Sequence, residues 1–440
     1  MSKPVVAVVR YEKPLESVRK AVELSGGLEA LPSHARVFIK PNVVFWTRTV
    51  PFPKWGVITT SRVVEDMVTL LRERGIDRIT IGEGIVLFDP KDTKTPVHAF
   101  ETLGYTKLSQ RYGVKVYDLH QRPFRKVDLG GGIQFNYNAD ILESDFVINI
   151  PVMKTHAQTV VSLGIKNVKG VIDMRSRKKC HSDDPASDLD FRVSKLANPL
   201  PPSFTILDGI YTNERGPNFD GRMRRNNLLV ASTDVFSADK VGSRLLGYET
   251  SRVPHLVHVA RDRNRALDLS DLEVVGETVE DLALNLQYSF AYNETNTLPL
   301  PLEKMGIQGL SYPKYDSSLC TYCSVLAGIV LTAIAYAWKG RPWDNVEVIS
   351  GKMMSPSPDA KHTIVLGKCL YQKHKNHPDK HRFIFVKSCP PSPKAVVEAF
   401  HKVGIEVNPQ IVENVNMAPG FFLQRYEGKP EFDASLFTIE

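Results

Sequence analysis

Between Arg36 and Gly82 the chain reads strand, helix, strand, and this order limits the folds open to it. Arg36–Val44 (RVFIKPNVV) has the apolar run of a strand. Thr59–Arg74 (TTSRVVEDMVTLLRER) spaces its apolar residues as an amphipathic helix, with Thr60 or Ser61 as N-cap and Gly75 just past its end. Asp77–Gly82 (DRITIG) is a second strand. Strand, helix, strand at this spacing is a βαβ unit, which implies a parallel sheet. Further strands are expected at Asp145–Met153, Ser203–Tyr211, Asn227–Ser232 and Leu272–Val275, with a helix over Asp239–Leu246 closed by Gly247. The expected fold is α/β, with a mostly parallel, Rossmann-like sheet.

Leu298–Pro313 is rich in proline and glycine and divides the chain into an expected domain over 1–300 and a smaller one over 301–440. In the smaller one a helix is expected near Val325–Lys339, strands near Val346–Ser350, Thr363–Leu366 and Phe383–Lys387, and a helix over Pro393–Lys402. This is again α/β, followed by a non-periodic tail from Asn416. The 440 residues are 42% hydrophobic and 24% charged, as in an ordinary globular protein. MSKPVVAVVRYEK enters a strand-like run with no signal-peptide pattern. The most apolar helix, from Val325, spans roughly 14 residues, short of the ~20 that cross a bilayer. A cytoplasmic, reducing location follows, where grouped cysteines bind metal or react more often than they pair. The net charge of +7 mildly favours anionic ligands or acidic partners. No nucleic-acid-binding motif is present, and a homo-oligomer is compatible with the composition.

Of the 5 cysteines in the chain, four fall in the second domain: Cys320 and Cys323 as a CxxC pair, then Cys369 and Cys389. Cys369 and Cys389 each follow a strand, at the carboxyl end where open parallel sheets place ligand sites. The CxxC pair sits in a loop entering a helix, where backbone N–H groups are free. Structural zinc usually takes two close pairs. One pair joined by two separated cysteines suits an iron–sulfur cluster better, with [4Fe–4S] expected and zinc the alternative. The CPP turn at Cys389 resembles the cluster-binding loops of the nickel–iron hydrogenase small subunit. The histidine- and lysine-rich stretch Tyr371–Arg382 reads as a solvated hairpin, and as a basic rim on which an acidic, ferredoxin-like electron carrier could dock.

A second constellation follows the strand at Asp145–Met153. PVMKTHAQTVVSLGIKNVKGVID gathers Lys154, His156, Lys166, Asn167 and Lys169 with Gly164 and Gly170, groups able to meet a carboxylate or phosphate. KPNVV, TTSRVVEDMVTLLRERG, INIPVMKTH, SLGIKNVKGVI, TILDGI with GPNFDGR, and ASTDVFSADKVGSRLLG together resemble, in order, the domain of unknown function 362 family over roughly Val5–Glu277. The resemblance implies that iron–sulfur domains accompany this domain; the chain lacks the usual ferredoxin run of CxxCxxC. The KTH and GIKN-G segments are also distantly similar to the N-terminal domain of nickel-pincer lactate racemases, which implies a small acid as ligand.

Placed at strand ends, Lys40, Asn42, Glu83, Asn167 and Arg215 are expected to bind substrate. His156, Lys154, Lys166 and Asp208 are expected to carry the chemistry, with His156 as general acid or base. Glu214 lies just beyond Asp208. Cys180, between Lys179 and His181, is a further reactive-thiol candidate, or an incidental thiol in a polar loop. The expected function is an iron–sulfur oxidoreductase passing electrons from a protein carrier to a small anionic or unsaturated substrate. A metal-dependent lyase, isomerase or racemase is the alternative, and an iron–sulfur sensor the third reading. No GxGxxG follows a strand, and Gly130–Gly132 precede one, so a nicotinamide site is not indicated.

Overall fold

The computed structural model describes residues 3–87, 89 and 91–439. They form two units: Met1–Arg177 with Asp190–Ser289 and Phe422–Glu440, and Lys178–Leu189 with Phe290–Phe421. The division is therefore not a single cut near residue 300. The segment around Cys180 belongs to the second unit, and the last residues return to the first.

The first unit is built on a 10-stranded sheet. Its first strands are β1 (Val5–Arg10), β2 (Arg36–Pro41), β3 (Arg78–Glu83) and β4 (Lys115–Asp118). A separate hairpin, β5 (Phe124–Asp128) and β6 (Gln134–Asn138), turns at Gly130–Gly132. The large sheet continues with β7 (Phe146–Ile150), β8 (Val152–His156), β9 (Val160–Ser162), β10 (Ser203–Glu214), β11 (Arg222–Ser232) and β12 (Glu273–Gly276). The order across it is β12-β1-β11-β10-β7-β2-β3-β4, with β8 beside β10 and β9 beside β8. From β10 to β4 all neighbours are parallel, whereas β11 is antiparallel to β1 and β10. The parallel strands are buried on both faces, which is why Phe146–Ile148 and Val37–Ile39 read as continuous apolar runs rather than alternating ones.

The helix after β2 spans Ser61–Glu73, with Thr60 at its N-cap and Gly75 at φ +75° beyond its end. One expected strand, Asp145–Met153, is two: β7 stops at Ile150 and β8 starts at Val152. Pro151 lies between them and has no N–H to give the ladder. From β2 the chain crosses to β3 on one side, whereas from β7 it continues toward β8 and β10 on the other. β2 and β7 therefore flank a switch point, where crevices form at carboxyl strand ends.

The second unit has a 4-stranded parallel sheet ordered β13 (Leu310–Ser311), β14 (Val346–Ile349), β15 (His362–Leu366), β16 (Phe383–Val386). Leu326, Val330, Ile334, Val396 and Phe400, on the helices Thr321–Ala337 and Pro393–His401, share its core. Within the expected boundary stretch lie a short helix, Leu300–Lys304, and β13 itself. The expected solvated hairpin at 371–382 is instead the helix Lys368–His374 followed by a 3-10 turn, Lys380–Arg382. Leu370 and His374, one helical turn apart, are both buried and hold that helix to the unit. No helix among the described residues is long and apolar enough to cross a membrane.

Candidate functional site

At the switch point the ends of β2 and β3, strand β8 and the GIKN turn bring together five of the expected residues, Lys40, Asn42, Glu83, Lys154 and Asn167. Lys40 and Asn149 are register partners at the ends of β2 and β7. Lys40 Nζ donates to Glu83 Oε2 at 2.9 Å, to the Pro41 carbonyl at 2.7 Å and to Asn167 Oδ1 at 3.5 Å. Glu83 also accepts the backbone N–H groups of Val43 and Gly84, each at 2.8 Å. Asn42 donates to Asn167 Oδ1 at 3.1 Å and accepts Lys154 Nζ at 2.7 Å. The second acceptor of Lys154 is the Val57 carbonyl at 2.9 Å. Asn167 donates to Asn149 Oδ1 at 2.8 Å, and Asn149 to the Gly164 carbonyl at 3.0 Å.

All these side chains are buried, Lys40 and Lys154 being 1% exposed. Burial therefore dominates their acid–base behaviour. It lowers the Lys40 pKa despite the adjacent Glu83, and takes Lys154 down to about 7. Glycine lets the network close. A Cβ on Gly170 would sit 2.5 Å from Glu83 Oε1 and 2.6 Å from Lys40 Nζ.

The GIKN turn is a short helix, Gly164–Asn167, whose first N–H groups are capped by a residue far along the chain. Asp239 accepts Gly164 N at 2.7 Å and Ile165 N at 2.9 Å, and burial raises its pKa to about 7. Asp208 serves the helix after β2 in the same way. It accepts the Thr60 N–H at 2.7 Å, and burial raises its pKa to about 6.

Three residues beside the network carried no motif. Arg177 donates to the carbonyls of Gly84, Gly170 and Ile172, binding the turns that carry Glu83 and Asn167. Asp118, at the end of β4, accepts the His120 N–H at 3.1 Å, and burial raises its pKa to about 6. His120 Nε2 is buried with no hydrogen-bond partner. Burial and then the Arg177 charge take its pKa down to about 3, so the ring is neutral. Only position at a carboxyl strand end could have marked Asp118 and His120, and Arg177, inside the helix Met174–Cys180, had no such mark.

The other expected residues are elsewhere. His156 ends β8, is buried, and accepts the Gln158 N–H at Nδ1. Lys166 is half-buried on the GIKN helix. Glu214 pairs with Arg224 at 2.9 Å. Arg215 follows β10 at φ +56° and lines a separate basic cleft. Cys180 is not in a polar loop: it ends the helix Met174–Cys180 and is fully buried. Such burial removes the exposure a reactive thiol needs.

In the second unit Cys320 is the N-cap of the helix Thr321–Ala337, and Cys323 lies in its first turn. Cys369 is the second residue of the helix after β15 rather than a strand-end residue, and Cys389 lies in the turn after β16. The Cys323 thiol is hydrogen-bonded to Cys320. That bond, then burial, then the charges of Cys320, Cys369 and Cys389 push its pKa well above the ordinary thiol value. Cys369 is exposed as a residue, yet desolvation of its sulfur and the charges of Cys320 and Cys389 raise its pKa against the pull of Lys352. Gly367, at φ +97°, leaves its missing side chain toward this group, with a Cβ 3.6 Å from Cys323 Sγ. Among the described residues no group of three or more His, Cys, Asp or Glu side chains is placed to hold a metal ion.

The model of the Domain of unknown function (DUF362) family matches residues 37–244. That span holds the whole buried network and its Asp208 and Asp239 caps, and stops before the four-cysteine region. The Thylakoid-associated protein sll1697 of Synechocystis sp. is 26% identical over 243 residues, covering 54% of this chain and 72% of that protein. The lactate racemase apoprotein from Thermoanaerobacterium thermosaccharolyticum aligns with 95% of this chain and 80% of that one at 12% identity and a TM-score of 0.34, a likeness too loose to argue from.

Proposed function

We propose that the protein is an iron–sulfur oxidoreductase whose second unit holds a [4Fe–4S] cluster on Cys320, Cys323, Cys369 and Cys389. The supporting observation is that the Cys323 thiol is hydrogen-bonded to Cys320 and feels the charges of Cys369 and Cys389, thiols from three separate segments; among the described residues they are not drawn up as a formed ligand set. The donor set is entirely sulfur, and Gly367 lies next to it. When bound, such a cluster supplies single electrons. The CxxC pair at a helix start and Cys369 in a helix first turn put sulfurs beside helix N-termini, whose partial positive charge favours anionic thiolates. Lys352 offsets negative charge at Cys369.

Electrons would come from an acidic carrier protein. Lys373 is tied to the Lys352, Met353 and Met354 carbonyls, which leaves exposed Lys375 and Lys380 as the docking cations. In the first unit Lys154, with a pKa of about 7, is suited to hold or pass a proton near neutrality. Lys154 also favours one second reading, a metal-dependent isomerase, racemase or lyase acting on a small acid.

Anaerobic purification with iron, sulfide and zinc quantitation tests the first reading. Iron and acid-labile sulfide at about four each per chain are expected, falling together in Cys369→Ser and Cys389→Ser. One zinc without sulfide would overturn it. Dithionite bleaching of the visible absorbance favours electron transfer; a redox-silent metal with substrate proton exchange favours the second reading.

A further inference from the structure

A cleft of about 650 Å3 in the first unit is lined by Arg215, Arg222, Arg224, Arg225, Arg425 and Lys429. Against these six cations the described lining residues include one carboxylate, Glu431. In a second cleft of similar size, about 640 Å3, Arg36 pairs with Asp145 and Arg122 with Asp140, and Asp77, Asp140 and Glu143 line the wall beside the cations. The first cleft therefore gathers more cations than carboxylates in its lining, with Arg224 paired to Glu214 behind it.

The cleft is also stiff. Its walls are the outer ends of β10 and β11 and the segment from Phe422 onward. Trp55, Tyr211, Tyr426 and Phe432 lock that segment down through ring contacts of 4.7 to 6.4 Å. Tyr211 OH donates to the Glu431 carbonyl and accepts the Asp433 N–H, while Tyr426 OH accepts the Met223 N–H. The guanidinium groups are held individually. Arg225 donates to Asn227 Oδ1 and the Glu431 carbonyl, Arg425 to the Asp220 carbonyl, and Arg224 to Glu214. Arg224 Nε remains buried without a partner. Arg215 is held at φ +56°, a conformation rare for a side chain of its size.

We propose that this cleft binds a small organic compound bearing two or more phosphate groups. Five of the six cations are arginine, whose planar fork meets phosphate oxygens two at a time, as a lysine point charge does not. The volume is that of a small-molecule site. Met223, Leu284, Tyr426 and Phe432 add apolar wall for a carbon skeleton. The site is independent of the metal chemistry proposed for the second unit.

Calorimetric titration of the full chain with inorganic pyrophosphate tests this, with orthophosphate as comparison. Pyrophosphate is expected to saturate the protein and to bind at least about tenfold more tightly than orthophosphate. R222A/K429A removes two exposed side chains and should weaken pyrophosphate about tenfold or more at unchanged melting temperature. Arg225→Lys, which keeps the charge and loses the fork, should weaken it as well. Equal binding of the two anions, or unchanged affinity in the double variant, would overturn the proposal. So would tighter binding of a single-stranded oligonucleotide or of anionic phosphatidylserine vesicles than of pyrophosphate.

Discussion

Lys154 keeps an ammonium group inside the protein with two neutral acceptors, the Asn42 amide oxygen and the Val57 carbonyl. Its folded pKa of about 7 lies below the ordinary 10.5, so between those values the folded state binds fewer protons than the unfolded one. Stability therefore rises with pH across this window. Urea denaturation at a series of pH values should show the rise, and Lys154→Met should flatten it by up to about 1.4 kcal/mol per pH unit. Asp208 works the other way. Its pKa is raised from 3.8 to about 6, so its contribution is present below 3.8 and is lost as pH rises through 6. Glu83→Gln should be costlier than either, because it leaves Lys40 buried without its carboxylate; about 3–5 kcal/mol is expected in chemical denaturation.

Lys40, Asn42, Glu83, Lys154 and Asn167 could be picked out in the sequence because polar residues directly after apolar runs mark strand ends. Their closure into a buried network could not, since it depends on the β2–β7 register and on Gly170. Nor could His120 or Asp239, whose roles come from segments far away in the chain. Arg215 was legible as a strand-end cation, but which crevice it lines depends on the twist and length of β10.

At the level of elements, two glycines carry the geometry. Gly170→Ala would press a methyl group onto the Lys40–Glu83 pair, and overpacking of this kind costs about 1–3 kcal/mol. Gly367→Ala places a side chain at φ +97° where the helix bearing Cys369 begins, and thermal melts should report a loss of about 1–2 kcal/mol. The secondary structure was legible where apolar runs are long, as for β2, β7, β10 and the helix before β3. The sequence pattern failed where one residue interrupts a run, at Pro151, and where polar composition hid a helix, at Lys368–His374. At the docking helix, Lys375→Glu with Lys380→Glu should slow reduction by an acidic carrier, with the difference shrinking as salt is added; stopped-flow rates that do not change would remove the basic rim from the reading.

At the scale of the molecule, the first unit draws its core from both ends of the chain. Tyr426, Leu436, Phe437 and Ile439 lie in the same cluster as Trp55, Val63 and Met67. Removing residues 422–440 should expose Trp55 and Tyr211, lower the melting temperature and shift tryptophan emission to the red, as burial of each large apolar side chain is worth about 1.5–3 kcal/mol. The restart of the strand–helix pattern after Leu298–Pro313 could be read in the sequence. The return of the tail could not, because its apolar residues follow neither helical nor strand spacing.

That return sets an order of events during synthesis. Once residue 289 has been made, the ribosome must still add the second unit before the segment from Phe422 is available. At ordinary elongation rates this is a wait on the order of ten seconds. Throughout it the aromatic seat around Trp55 lacks its cover, and the nascent first unit presents to chaperones an apolar surface that the segment from Phe422 onward later fills.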